Sequence, residues 1–206
     1  MSAKIGVRYE FSGTESLLEN SYLTPIFDHL VVAARTLEEG GAWVEEKLGV
    51  APVAGGKHPT MGTHNRLLRI GPREFLEVIA IDPEAPTPAR PRWFDLDSPE
   101  MRARLEEGPA LIHWVERTAD LEAALRDYSE PVQILSFARG PYRWRMGVPR
   151  DGRRPGRGSL PTLIQWEGAL HPADALPESG CRIEGFTQGN GRITADFAIA
   201  SGMRTI

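Results

Sequence analysis

Cysteine is almost missing: the 206 residues contain one, Cys181. An internal disulfide framework is excluded, and such usage fits a reducing compartment. Long apolar runs are missing too. The opening MSAKIGVRYEFSGTESLLENSYLTP has no signal-peptide core, and no later stretch approaches the ~20 apolar residues of a spanning helix. Strong charge of either sign is absent, the formal net charge being -4, so the totals call for neither nucleic acid nor a membrane surface. The expectation is a soluble, cytoplasmic protein, with 41% hydrophobic residues to build its core.

What is present is a repeat. FDHLVVAA leads through Arg35 and Thr36 into a helix, and about 84 residues later LIHWVE leads through Arg117 and Thr118 into another. In the first helix Thr36 and Glu39 form a capping-box pattern, Leu37, Gly41, Val44 and Leu48 recur at helical spacing, and Gly49 suits a left-handed end. In the second, Leu121, Ala124, Leu125 and Tyr128 make one apolar stripe that stops before Pro131.

After each helix the spacing turns to period two. The first unit continues as APVAGG, THNRLLRIG and REFLEVIAID, the second as VQILSFA, YRWRMGVP and TLIQWEG. Each half reads as strand, helix and three strands, an α+β pattern of two βαβββ modules over residues 26–95 and 110–170. An extension, 1–25, precedes them. Its IGVRYEF reads as an added edge strand, a dimer contact or a disordered segment. A connection, 96–109, carries a short helix signalled by Ser98 and Pro99. The proline-rich DPEAPTPARPRWFDLD ahead of it precludes a helix or central strand. A tail, 171–206, holds two strand candidates around Gly189, Asn190 and Gly191.

Superposing the halves by pattern brings polar residues into register within apolar strands: His29 with His113, and Glu77 with Gln165. An unpaired buried carboxylate costs several kcal/mol, so Glu77 needs a cation, a metal or hydrogen-bond donors. Two imidazoles, a carboxylate and an amide oxygen can hold a divalent metal if the strands curve together. Set against this, Glu77 could pair with Arg66 or Arg69, and His29 and His113 could be core or capping histidines. His58 and His64, in and beside a glycine-rich turn, and His171, ahead of Pro172, read as surface residues. The arginines of PRDGRRPGRGSLP, Arg150, Arg153, Arg154 and Arg157, suit either an anionic ligand or a solvated hairpin tip.

FDHLVVAARTLEEG, GTHNRLLRIG, FLEVIAIDP, GPALIHWVERTADLE, LIQWEG and HPADALP together resemble the glyoxalase-like domain family of the vicinal oxygen chelate superfamily, over residues 26–177. That resemblance implies paired modules whose sheets curl around a shared cup. It also implies a divalent metal, Zn, Ni, Fe or Mn, on first and last strands, which here selects His29, Glu77, His113 and Gln165. A metal-assisted lyase, isomerase or dioxygenase acting on a small oxygen-rich metabolite follows. Gln165 stands where glyoxalase I relatives carry a basic glutamate, which leaves Glu77 as the candidate base. The alternative is a metal-free sequestering protein of the bleomycin-resistance type. Trp114, Trp144 and Trp166 would then line an aromatic cleft, with Arg69 or Arg145 meeting an anionic ligand. A homodimer is one way to complete the cup.

Overall fold

The computed structural model describes residues 7–10, 24–126, 128–129, 131–189 and 192–206. The remainder of the 1–25 extension, and Asn190 and Gly191 of the tail's turn, lie outside the described residues. In chain order the strands are β1 (Val7–Glu10), β2 (Ile26–Ala33), β3 (Val53–His58), β4 (Thr63–Arg69), β5 (Phe75–Ile81), β6 (Ala110–Arg117), β7 (Val132–Arg139), β8 (Tyr142–Pro149), β9 (Thr162–Trp166), β10 (Arg182–Gly189), β11 (Arg192–Ile199) and β12 (Gly202–Thr205). Helix α1 (Leu37–Leu48) follows β2, α2 (Pro99–Glu106) precedes β6, α3 (Leu121–Leu125) follows β6, and α4 (Pro172–Ala175) follows β9.

Eight strands form one sheet in the order β3-β4-β5-β2-β6-β9-β8-β7, and β1-β10-β11-β12 form another. The central pair, β2 and β6, is antiparallel, and each is flanked by a parallel neighbour, β5 or β9. His29 faces Val115 and Val31 faces His113, so the pairing is symmetric about Leu30 and Trp114. On the parallel sides Val31 faces Glu77 and Val115 faces Thr162. Under this twofold relation His29 corresponds to His113, and Glu77 corresponds to Thr162.

Alternation along the strands feeds two cores. Leu30, Val32, Leu76, Val78 and Trp114 pack under α1 and against Phe186 and Phe197 of the four-stranded sheet. That sheet gives the tail and β1 their role as a cover, with each large side chain so buried contributing about 1.5–3 kcal/mol. Cys181 is buried in the same core, and burial pushes its thiol up to about 11, which leaves it unreactive. Val31, Ala33, Ile79, Ile112 and Val115 face the opposite way, into the cup.

Helix α1 begins where Thr36 accepts a hydrogen bond from the Glu39 amide at 3.1 Å, and ends at Gly49 with φ 76°. Gly40 sets its approach to β5, because a Cβ there would lie 2.5 Å from Val78 Cγ1. Before α2, the proline-rich strand-to-helix connection turns inward. Trp93 and Phe94 leave it to join the cup-side core, with Phe94 and Asp95 both left-handed at φ 59° and 63°.

Candidate active site

The cup holds a small pocket of about 30 Å³. His29, His58, Asn65, Glu77, Arg139 and the aromatic rings of Phe75, Trp93, Phe94, Trp144 and Trp166 face it.

His29 owes its position to a β-bulge. The β2–β6 register shifts between Phe27 and His29, so Asp28 is the extra residue, and its side chain turns under the imidazole. His29 Nδ1 donates to Asp28 Oδ1 at 2.6 Å, and its ring stacks on Phe75 at 4.3 Å between centroids. The other oxygen of Asp28 accepts from Trp166 Nε1 at 3.0 Å and from His171 Nε2 at 3.1 Å. Burial alone pushes the Asp28 carboxyl up, but the bonds from His171 and His29 outweigh it and hold Asp28 ionised, below the usual carboxylate range. An ionised Asp28 fixes the hydrogen of His29 on Nδ1 and leaves Nε2 as an acceptor facing the pocket.

Glu77 faces that nitrogen, its Oε2 standing 3.9 Å from His29 Nε2. Its other oxygen accepts from Asn65 Nδ2 at 2.6 Å. The alternative pairing with Arg66 or Arg69 does not occur: Arg66 meets Glu38 and Arg69 meets Glu178. Asn65 Oδ1 accepts from the Gly56 amide at 2.8 Å and from Arg139 Nη1 at 3.0 Å, so a polar chain runs from Arg139 through Asn65 to Glu77. Glycine is required at positions 55 and 56, where a Cβ would lie 2.1 Å from Asn65 Oδ1 and 2.5 Å from Arg139 Cδ. His58, buried beside Trp93 and Trp144, bonds Thr63 and Arg139. Burial first, then the Arg139 charge, lowers it to about 3, so it is neutral in ordinary buffers.

Of the residues proposed for a site in the sequence, His29, Glu77, Trp144 and Trp166 reach the pocket together. His113 occupies the twofold-related position but is closed off. Its Nε2 bonds Thr162 Oγ1 at 2.9 Å, and the pocket is lined by Phe94, whose ring lies 5.5 Å from the imidazole, and not by His113. Gln165 points to the other face of β9, where its carbonyl accepts from Arg145 Nη2 at 2.6 Å and from the Leu121 amide at 3.2 Å. Ile164 and Trp166 hold the cup-facing positions on that strand. Arg145 is turned toward Glu122, Arg69 bonds the backbone at Gly71 and Pro72, and Trp114 lies in the opposite core, so none of these three meets the pocket. His58 and His171, read as surface residues, are buried.

These positions bear on the implied metal. His29 Nε2 backed by Asp28 is a suitable donor, and Glu77 Oε2 is another. His113 and Gln165 do not join them, and among the described residues no three His, Cys, Asp or Glu side chains are grouped to share an ion. The four-residue set does not fit a divalent metal of the three- or four-ligand kind.

The sequence profile of the glyoxalase-like domain family matches residues 27–192. Among solved structures, a methylmalonyl-CoA epimerase from Mycobacterium tuberculosis is 22% identical over 75% of this chain and 95% of its own, with TM-score 0.46. A hypothetical protein from Staphylococcus aureus is 15% identical over 89% of this chain and 86% of its own, with TM-score 0.51. A single-substitution variant of a methylmalonyl-CoA epimerase from Streptomyces coelicolor, in complex with 2-nitronate-propionyl-CoA, is 18% identical over 71% of this chain and 96% of its own, with TM-score 0.46. No curated protein matches the chain. No helix among the described residues is long and apolar enough to cross a membrane.

Proposed function

This chain belongs to the glyoxalase-like domain family, with the curled-sheet fold of the vicinal oxygen chelate superfamily, and from that premise we propose that it is an enzyme moving a proton on a small oxygen-bearing substrate that enters the pocket His29 and Glu77 both line. The observation that carries the reading is that His29 Nε2 and Glu77 Oε2 stand side by side, 3.9 Å apart, on the wall of one pocket. Each group is anchored on its far side, by Asp28 or by Asn65, and each has an acceptor turned to the same space.

In the proposed reaction His29 Nε2 takes a proton from a carbon next to a carbonyl. The C–H bond breaks, an N–H bond forms, and the electron pair moves to the carbonyl oxygen. Arg139 supplies the positive charge for that oxygen, and the proton returns to carbon from His29 or by way of Glu77. Asp28 orients the base and stabilises its charged form, a positioning role. Trp144 and Trp166 keep water from the reacting atoms. A positioned base accounts for about 10²–10⁴ in rate and a fixed oxyanion partner for about 10²–10³.

The divalent metal expected from the resemblance would find His29 and Glu77 alone of its four residues at the pocket, so no step is assigned to it. Elemental analysis of purified protein, with activity before and after chelation, separates a metal-dependent reaction from this one. The aromatic walls favour one second reading, a sequestering protein that binds an apolar ligand without changing it.

Hydrogen–deuterium exchange tests the proposal. A panel of small carbonyl acids is incubated in D₂O with enzyme and followed by proton NMR. Exchange next to the carbonyl, abolished in His29→Gln and reduced in Glu77→Gln, is the expected result. Binding without exchange, or exchange that survives His29→Gln, overturns the reading.

A further inference from the structure

The arginine-rich segment between β8 and β9 takes no part in the pocket. It folds against α2, and between them lies a second cavity of about 450 Å³, open to solvent. Arg104, Arg153, Arg154 and Arg157 line it, facing Asp95 and Glu100. Two of the arginines are matched, Arg154 by Asp95 at 2.6 Å and Arg153 by Asp151. Arg157, exposed to solvent, has no hydrogen bond or ion pair among the described residues, and its backbone is left-handed at φ 54°, a conformation that strains a non-glycine residue. Arg104 is half-buried and donates to the Leu111 carbonyl at 3.1 Å; burial first, then Arg154 and Arg192, make its charge costly. The wall thus gathers more positive charge than its own carboxylates neutralise.

We propose that this cavity is a second ligand site, for a small dianion of the phosphate class, and that its occupation reaches the active-site pocket through Asp95 and Phe94. Guanidinium forks match tetrahedral oxyanions in geometry and charge, and Arg104 and Arg157 are the groups without a carboxylate of their own. Arg154 joins the two cavities. Its amide and its Nε hold both oxygens of Asp95, at 3.2 Å and 2.6 Å, and its Nη1 donates to the Ile112 carbonyl beside His113. An anion drawing Arg154 toward itself competes with Asp95, which latches the left-handed turn that holds Phe94 over His113.

The latched state is not cheap. Trp93 Nε1 and His113 Nδ1 are buried with no hydrogen-bond partner among the described residues. Releasing the turn would let both find partners, so a modest preference of the anion for the released state suffices to shift the population. The site stands independently of the reaction assigned to His29.

Titration with inorganic phosphate at constant ionic strength tests the proposal, with heat and tryptophan emission recorded together. Arg157→Gly removes the unmatched cation at a position whose φ glycine accepts, so this variant keeps the fold, as a thermal melt will verify. The expected result is saturable heat with an emission change in the unaltered protein, binding weakened about ten-fold or more in Arg157→Gly, and heat without the emission change in Trp93→Phe. Absence of saturable heat, or equal binding by a folded Arg157→Gly, overturns the site. Heat without any emission change in the unaltered protein overturns its coupling to Phe94.

Discussion

Acid destabilises this protein through His58. In the folded state its imidazole titrates at about 3, whereas an unfolded histidine titrates near 6.5. Above the unfolded value both states are neutral, and the full stability is present. As pH falls below it the unfolded chain takes up a proton that the native state refuses, so stability is lost with acid at up to about 1.4 kcal/mol per pH unit. Between about pH 7.5 and about pH 5 this amounts to about 2 kcal/mol, which at a urea dependence of about 2 kcal/mol/M moves the midpoint down by about 1 M. His113, held well below its ordinary value by burial and then by Arg154, adds in the same direction. Urea unfolding by circular dichroism at the two pH values, for the unaltered protein and for His58→Gln, reads the effect. The variant keeps a polar side chain beside Thr63 and Arg139, and it loses the His58 share of the pH slope. An unchanged slope in His58→Gln, or stability rising in acid, refutes the reasoning.

Three further outcomes follow. Asp28→Asn removes the charge that fixes the His29 hydrogen on Nδ1, so turnover in the exchange assay, measured on the folded fraction, falls about 10²–10⁴-fold with its pH profile displaced. Gly40→Ala forces a methyl to 2.5 Å from Val78 Cγ1, and thermal denaturation should show a loss of about 1–3 kcal/mol. Gln165→Ala frees Arg145 and the start of α3 on the outer face, so exchange activity stays while the melting temperature drops; loss of activity at unchanged stability would return Gln165 to the pocket.

The fold class is legible because both signals that carry it are local. Helical spacing after Thr36 reports the buried face of α1, the continuous apolar run FLEVIAI reads as a strand buried on both faces, and the repeat of apolar-His-apolar supplies the twofold. The site is legible only where strand parity can be read without error. His29 and Glu77 lie on the parallel pair β2 and β5, and both face inward. On β9 the same reasoning selects Gln165, whereas the ladder makes Thr162 the twofold counterpart of Glu77. An offset of three residues is odd, and on a strand an odd offset reverses the face. Asp28 carries no sequence signal because a bulge, which has no period, turns it beneath its neighbour. His58 and His171 read as surface residues on account of their glycine and proline neighbours. Yet Gly55 and Gly56 are themselves a signal, since they mark where Asn65 and Arg139 approach the backbone of β3. Trp93 and Phe94, two large aromatics in a proline-rich connection, signal burial in the same way.

The central claim is that the His29 ring presents a bare Nε2 to the space it shares with Glu77. Nitrogen-15 NMR of the histidine rings, with His29 assigned through its glutamine variant, reads this directly. The account predicts a hydrogen on Nδ1 and an unprotonated Nε2 whose resonance alone shifts when a small carboxylic acid enters the pocket. A hydrogen on Nε2 in the free protein, or a ligand that leaves this nitrogen unmoved, contradicts it.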